Sequence, residues 1–172
     1  MYLDFKELLA ILNARKVRYL VVGGYAVSFH AQPRATKDLD LWVKPDLANA
    51  KALYGALAEF GAPLANLTPA DFAEAGSFFR MGTPPLMVDI LPEISGVEFD
   101  AAWARRVEGP IVADGSVSAP FISVEDLLAA KRAAGRKQDL ADVAAIRQAQ
   151  GAPGQPRSAK PRRAPKQPRL KP

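Results

Sequence analysis

The feature that most constrains the fold of this chain is an apolar run closed by two glycines and followed, after a short gap, by two aspartates. Residues 19–22 are apolar and predict a buried strand, which Gly23 and Gly24 end with a tight turn. Residues 25–31 are expected to form a helix, and the apolar pattern at 38–43 predicts a second strand. A strand, a turn, a helix and a strand in this order indicate a fold that combines helices with a sheet.

The rest of the sequence continues this mixture. Helices are predicted where apolar residues recur at helical spacing, and strands where short apolar runs lie between turn residues. The predicted helices are an N-terminal helix with Phe5, Leu8 and Leu12 on one face and helices over 46–60, 99–104, 123–134 and 138–148; the predicted strands cover 77–81, 86–91, 107–112 and 117–121, with a hairpin turn at 82–85. We therefore expect one α+β (or α/β) domain over residues 1–150, with a mixed β-sheet and flanking helices.

The last part of the chain has a different composition. Of the 23 lysines and arginines, seven lie in residues 151–172 with six prolines and no acid, which leaves 16 basic against 18 acidic residues in 1–150. Such a segment buries too little apolar surface to offset its loss of chain entropy, so we predict a disordered basic tail. The tail suits contact with RNA by counterion release, and a solubilising or dispensable extension is the equal alternative.

The composition also narrows the kinds of site that the chain can carry. It has no cysteine and one histidine, His30, which excludes disulfides, thiolate metal sites, cysteine nucleophiles and histidine-rich metal centres. A bound metal ion would need oxygen ligands, which points to magnesium, manganese or calcium. The N-terminus lacks the pattern of a signal peptide and no apolar run approaches the length of a membrane span, so we expect a cytoplasmic protein without membrane contact.

Asp38 and Asp40 are unusual in a predicted strand, because aspartate is disfavoured there. Strand alternation places both carboxylates on one face and Leu39 and Leu41 on the other. Two carboxylates this close repel each other unless a cation lies between them, and a divalent ion shared with phosphate groups suits such a pair. The alternative is an exposed strand end that carries two solvated acids.

Asp89 lies within residues 86–91, a run that is otherwise apolar. A buried carboxylate without a partner is costly, and this strand supplies no basic residue of its own, so we expect Asp89 to reach a solvated strand end or to meet a cation. Beside Asp38 and Asp40 it would provide a second metal position and accept the proton of an attacking hydroxyl. The alternative is an aspartate that caps a turn before Pro92.

Together these elements resemble the DNA polymerase β-like nucleotidyltransferase superfamily. Its signature is a hydrophobic residue, Gly-Gly or Gly-Ser, a spacer and then Asp-h-Asp-h, where h is apolar; the matching residues are Val22-Gly23-Gly24, thirteen intervening residues and Asp38-Leu39-Asp40-Leu41. The Gly-Gly form with Arg34 and Thr36 is most similar to the branch that holds aminoglycoside and lincosamide nucleotidyltransferases and AbiEii-type toxins. The resemblance covers about residues 5–145 and implies a minimal nucleotidyltransferase fold.

The resemblance also implies roles for individual residues. Asp38, Asp40 and Asp89 would ligate magnesium, with manganese as a possible substitute, and Gly23 and Gly24 would contact the triphosphate of a nucleoside triphosphate through their backbone. The three aspartates form the predicted catalytic and metal site, and the two glycines belong to the predicted nucleotide-binding site.

Three further residues are candidates for phosphate binding. Arg34 and Thr36 lie just before the acids, where the alternative is a pair of solvated loop residues. Lys131, on the helix predicted over 123–134, would reach the β- or γ-phosphate, and the alternative is a lysine that is merely exposed. Arg136 with Asp139 and a further acid, Asp142, follows a pattern that we interpret first as structural pairing.

The implied activity is magnesium-dependent transfer of a nucleoside monophosphate to an acceptor hydroxyl on RNA such as a tRNA end, on a partner protein or on a small molecule. A toxin–antitoxin setting follows from the resemblance alone. Gly24 stands where many members have serine, so phosphate contacts rest on the backbone, and the short body suggests that a homodimer or a partner protein completes the site. The alternatives are a non-catalytic nucleotide-binding module and a basic-tailed RNA-binding protein whose body is a scaffold.

Overall fold

The computed structural model describes residues 3–33, 35–111 and 115–151. Arg34, the end of the strand predicted at 107–112 and the basic tail beyond residue 151 lie outside these ranges. The described residues form six α-helices, one 3-10 turn and a mixed six-stranded sheet, so the predicted α+β class is confirmed.

Two of the six described helices begin and end at residues that cap them. Their bounds are α1 (Leu3–Ala14), α2 (Gly23–His30), α3 (Leu47–Phe60), α4 (Phe99–Ala104), α5 (Val124–Ala134) and α6 (Lys137–Gly151), with the 3-10 turn at Pro69–Phe72. The Asp46 carboxylate accepts a hydrogen bond from the Asn49 N–H at the start of α3, over 2.7 Å. The same helix ends at Gly61, whose φ of 85° is a left-handed conformation that glycine adopts readily.

The six strands form one mixed sheet in which antiparallel and parallel pairings alternate. Their bounds are β1 (Tyr19–Val21), β2 (Asp38–Val43), β3 (Phe79–Thr83), β4 (Leu86–Leu91), β5 (Val107–Pro110) and β6 (Ser118–Phe121), and their order is β3-β4-β2-β1-β6-β5. Strand β2 pairs antiparallel with β1 and parallel with β4, while β1 pairs parallel with β6. Two hairpins, β3–β4 and β5–β6, form the edges, so β2 lies directly beside β4.

The helices pack in two groups, α1 against α3 and α5 against α6, with α2 in contact with the second group. The Tyr19 hydroxyl of β1 donates to the Asn13 side chain of α1, over 2.8 Å, which ties the sheet to the first group. Fully buried apolar side chains fill the interior, among them Leu8, Leu12, Leu39, Leu41, Leu53 and Ile122. Among the described residues, no helix combines the length and the apolar character needed to cross a membrane.

The predicted elements are confirmed with shifts at their ends. Helix α2 begins at Gly23, two residues before the predicted start, and α6 continues to Gly151. The larger difference is in the β3–β4 hairpin, where the turn has two residues, Pro84 and Pro85, and Thr83 pairs with Leu86. The predicted turn at 82–85 was therefore too long by two residues, and β3 lies two positions later than expected.

Candidate active site

The parallel pairing of β2 with β4 brings the three predicted aspartates to one face of the sheet. Asp40 is the register partner of Asp89, and Asp38 lies two residues earlier on β2, opposite Met87. Side chains two positions apart on a strand share a face, so Asp38 and Asp40 point to the same side. The carboxylates of Asp38 and Asp89 both raise the pKa of Asp40, which places all three within electrostatic reach of each other.

Gly23 and Gly24 lie directly against Asp40 at the start of α2. Gly23 has a φ of 58°, and a Cβ added to it would overlap the Asp40 carboxylate. The backbone N–H of Gly24 donates to the same carboxylate. Gly23 therefore has a structural reason that does not require a ligand, because only a backbone without a side chain fits this close to Asp40.

Asp40 lies in an environment that disfavours its ionised form. Burial, followed by the charges of Asp89 and Asp38, raises the pKa of Asp40 to about 6, against the opposing effects of the Gly24 N–H and Lys131. A cation beside Asp40 would remove this penalty, since an opposite charge favours the ionised carboxylate.

Arg80 of β3 holds Asp89. Its Nε and Nη2 donate to the two carboxylate oxygens of Asp89 over 2.7 Å each, a bidentate pair between register partners on neighbouring strands. The Asp89 side chain is 8% exposed and that of Arg80 49% exposed. Of the two expectations for Asp89, a solvated strand end or a cation, the second holds, and the cation is a guanidinium.

The donor chemistry of the site fits magnesium in part. Asp38 and Asp40 offer hard oxygen ligands that repel each other, which suits a cation that also binds phosphate oxygens. Asp89 fits as a third ligand only once Arg80 has released its oxygens. Accordingly, within residues 3–33, 35–111 and 115–151 no three carboxylate or histidine side chains stand in a ready metal-binding group.

Of the other predicted phosphate-binding residues, the structure describes Thr36 and Lys131, which differ in what they contact. The Thr36 hydroxyl donates to the backbone carbonyl of Asp38 over 3.3 Å, at the entry to β2. Arg34 lies outside the described residues.

Lys131 of α5 is enclosed by α6 and not exposed on the helix surface. Its Nζ lies 2.9 Å from Asp139 Oδ1 and 2.8 Å from Asp142 Oδ2, and Arg136 Nε lies 2.6 Å from Asp139 Oδ2. The interpretation of Arg136, Asp139 and Asp142 as structural pairing is thus confirmed. Lys131 still lowers the pKa of Asp40, so its charge is felt at the carboxylates.

A concavity lies on the opposite face of the sheet from the aspartates. Its empty volume is about 530 Å³, and its lining includes Phe72, Phe79 and Ile90. Ile90 alternates with Asp89 along β4, so the two side chains point to opposite faces. The concavity and the carboxylates are therefore separate features, and an acceptor bound at the carboxylates would need other walls.

A glycine turn pressed against an Asp-x-Asp strand, with a third aspartate on the neighbouring parallel strand, is the arrangement that the sequence motif implied. A family model described as a nucleotidyltransferase of unknown function, DUF6036, matches residues 3–149. The chain belongs to this family. The predicted nucleotidyltransferase-like family is thereby confirmed, whereas the branch within the superfamily is not distinguished by this match. Comparison with curated proteins found no match.

The DUF6036 chain carries one site residue that sequence reasoning missed, Arg80. With the predicted four-residue turn, Phe78 would face Asp89, whereas the two-residue turn places Arg80 there. The sequence signal that could have identified Arg80 was the length of the β3–β4 turn, because turn length fixes which residue of β3 pairs with Asp89.

Proposed function

We propose that this protein is a magnesium-dependent nucleotidyltransferase that moves a nucleoside monophosphate from a nucleoside triphosphate to an acceptor hydroxyl. One observation supports this most strongly: three carboxylates share one face of the sheet, Arg80 is the one cation paired with them among the described residues, and the pKa of Asp40 is raised to about 6. Such an excess of negative charge is stable at neutral pH only at a cost, which a bound cation relieves.

In this proposal Asp38 and Asp40 hold magnesium, with manganese as a substitute, and Asp89 joins them as the third carboxylate. The metal would activate the attacking oxygen and stabilise the charge on the leaving phosphates. The acceptor oxygen forms a bond to the α-phosphorus, the bond from that phosphorus to the bridging oxygen breaks, and pyrophosphate leaves. The proton of the acceptor hydroxyl passes to a carboxylate of this group or to solvent.

The remaining predicted residues have positioning roles. The N-terminus of α2 at Gly23 and Gly24 favours the negative charge of the triphosphate, and Thr36 and Arg34 lie beside the acids in the chain. Lys131 contributes its positive charge to the site while it stays paired with its two aspartates. A phosphate contact by Lys131 would require its ammonium to leave Asp139 or Asp142.

The acceptor belongs to one of three classes, an RNA such as tRNA, a partner protein or a small molecule. The basic tail at 151–172 favours RNA because it carries seven cations and no acid. The Gly-Gly motif with Arg34 and Thr36 is similar to the AbiEii-type branch, which supports a toxin–antitoxin setting in the cytoplasm. A homodimer or partner protein would supply the residues that complete the site around the carboxylate face.

The test is transfer of label from each of the four α-labelled nucleoside triphosphates, with magnesium, to total tRNA, to cell lysate and to the protein itself. The variant Asp38→Asn/Asp40→Asn removes the proposed ligands, and Asp100→Asn, at a 70% exposed carboxylate, is the matched control. Label that appears with wild type and Asp100→Asn but not with the double variant supports the proposal and identifies the acceptor class. Label that persists in the double variant contradicts it.

A second candidate is a nucleotide-binding module without transferase activity. The observation that favours it is the complete engagement of both Asp89 oxygens by Arg80. Nucleotide binding without transfer to any of these acceptors, in wild type and in a chain lacking residues 152–172, would favour this candidate. Loss of RNA binding in the shortened chain, with nucleotide binding intact, would assign RNA contact to the tail.

A further inference from the structure

Arg80 stands at the exposed edge of the carboxylate face. Strand β3 is an edge strand, and register pairing places Arg80 beside Asp89 and Asp89 beside Asp40. A ligand that approaches the aspartates from this edge therefore meets the guanidinium first.

The two partners of this ion pair differ in their access to solvent. The Asp89 side chain is 8% exposed, whereas that of Arg80 is 49% exposed and its guanidinium lies 5.2 Å from the centroid of the Phe78 ring. Phe78 is itself 55% exposed. Asp89 uses two of the five N–H donors of Arg80, and the other three are directed away from that carboxylate. The guanidinium therefore has donors for a second anion without any rearrangement of the sheet.

The charges make an exchange of partners favourable once a triphosphate is present. Arg80 is attracted by Asp89 above all and also by Asp38 and Asp40, which together raise its pKa. A triphosphate brings comparable negative charge in a form that arginine binds with two parallel hydrogen bonds. If the guanidinium turned to the phosphates, Asp89 would be left as a buried carboxylate without a cation, which is costly unless a metal ion replaces Arg80.

We propose that Arg80 exchanges Asp89 for the triphosphate, so that nucleotide binding releases the third carboxylate for magnesium. The inference rests on the proposed function and adds to it a positioning residue and an order of events. In the nucleotide-free protein Arg80 restrains the metal site to Asp38 and Asp40. Nucleotide and metal then bind with positive coupling, and by linkage each raises the affinity for the other by the same factor.

The test measures binding and not turnover. Manganese binding is followed by electron paramagnetic resonance, with and without each of four α,β-methylene nucleoside triphosphates, in wild type, Arg80→Gln, Arg80→Lys and Arg15→Gln. Arg15, which follows α1, is the matched control because its side chain is 45% exposed, similar to that of Arg80, and its Nε lies 2.6 Å from a carboxylate oxygen of Glu59 on α3. Circular dichroism establishes that each variant is folded.

Exchange predicts opposite changes in the two affinities for Arg80→Gln. Manganese binds the nucleotide-free variant about tenfold more tightly, because Asp89 is released, while the analogue binds about tenfold more weakly. The coupling between the two ligands decreases to the part that arises from direct contact of the metal with the phosphates. Arg80→Lys keeps the charge but forms two parallel hydrogen bonds with neither anion, so it shows both changes to a smaller extent than Arg80→Gln. Arg15→Gln behaves as wild type.

A direct view of the exchange comes from the Nε–H signal of Arg80 in protein labelled with ¹⁵N-arginine. The proposal expects this signal, assigned by its absence from Arg80→Lys, to shift when the analogue and manganese are added. An unmoved signal, or equal loss of both affinities in Arg80→Gln, would show that Arg80 only supports Asp89. If wild type binds no analogue with any divalent ion, the proposed function itself fails; if it binds the analogue and Arg80→Gln binds it equally well, only the exchange fails.

Discussion

Two groups of charged side chains in this protein use the same residue types but differ in charge balance. The helix cluster consists of Lys131, Arg136, Asp139 and Asp142, on α5 and α6. The carboxylate face consists of Asp38, Asp40, Asp89 and Arg80, on β2, β4 and β3. Among the described residues, the first group has two cations for two acids, and the second has one cation for three.

Within the helix cluster, the cations balance the charges of the acids. Asp139 and Asp142 are only 1% and 3% exposed, yet each has a cation within 2.9 Å. Burial raises the pKa of Asp139, but hydrogen bonds from Arg136 and Lys131 outweigh that effect and hold the pKa at about 2. The cluster therefore joins α5 to α6 without needing any ligand.

On the carboxylate face, the described acids outnumber the cation that pairs with them. The pKa of Asp40 rises to about 6 because burial and two neighbouring acids act in the same direction. Buried charges that are left without sufficient partners in the free protein are typical of positions that bind ions or substrates. The comparison therefore separates a group whose charges are balanced within the protein from a group that a bound cation would stabilise.

The largest effect is expected from making the helix cluster unbalanced. Lys131→Met removes the cation shared by Asp139 and Asp142 and leaves two buried carboxylates with one cation of the cluster, Arg136. Breaking a buried pair in this way costs about 3–5 kcal/mol, which urea unfolding at pH 7 measures directly.

Arg132→Met, at the exposed neighbouring position of α5, is the control and should change the free energy of unfolding by less than about 1 kcal/mol. Equal losses in the two variants would show that the cluster carries no special stability. The structural reading of Lys131 would then give way to the phosphate-binding one.

A smaller loss is expected where the glycine turn meets the carboxylate face. Gly23→Ala places a side chain at a φ of 58° and against the Asp40 carboxylate. The backbone strain costs about 1–2 kcal/mol and the overlap about 1–3 kcal/mol more, again measured by urea unfolding.

Gly61→Ala provides the control, because Gly61 also has a positive φ, 85°, but nothing within 4 Å of the added Cβ. It should show the strain alone. Adding Asp40→Ala to Gly23→Ala should recover most of the difference between the two glycine variants. Failure of that recovery would mean that the close contact with Asp40 is not the cause.

Most of the fold was predictable because local signals agreed with the tertiary arrangement. Apolar runs and glycine turns located β1, β2 and β4, and the helical spacing of apolar residues located α3 and α5, whose first turns the Asp46 and Ser123 side chains cap. Alternation along β2 correctly placed Asp38 and Asp40 on one face. These features depend on a few neighbouring residues, which is why the sequence alone reveals them.

The parts that were not predictable depend on contacts between distant segments. The partner of Asp89 depends on the register of the β3–β4 hairpin, and a difference of two residues in the turn replaces Phe78 by Arg80. The enclosure of Lys131 depends on how α6 folds back onto α5, which helical periodicity does not report. The hydrogen bond from the Gly24 N–H to the Asp40 carboxylate likewise depends on the position of α2 relative to the sheet.

The smallest effect, and the one of opposite sign, is expected from relieving the imbalance on the carboxylate face. The pKa of Asp40 is raised in the folded protein, from 3.8 to about 6, so the folded state holds its proton more tightly than the unfolded state. Folding is therefore penalised as pH rises through this window. Asp40→Asn, whose amide oxygen still accepts from Gly24, should be about 1–3 kcal/mol more stable than wild type above pH 6 and equally stable below about pH 4.

Urea unfolding of both proteins between pH 4 and pH 8 measures this difference, with Asp100→Asn as an exposed control that should follow wild type within about 1 kcal/mol throughout. Magnesium should raise the stability of wild type and leave Asp40→Asn unchanged, since a ligand stabilises only the state that binds it. A variant that is less stable than wild type at pH 8 would mean that Asp40 is already compensated. The carboxylate face would then be a group whose charges are balanced within the protein, like the helix cluster. The main support for a metal at this position would be lost.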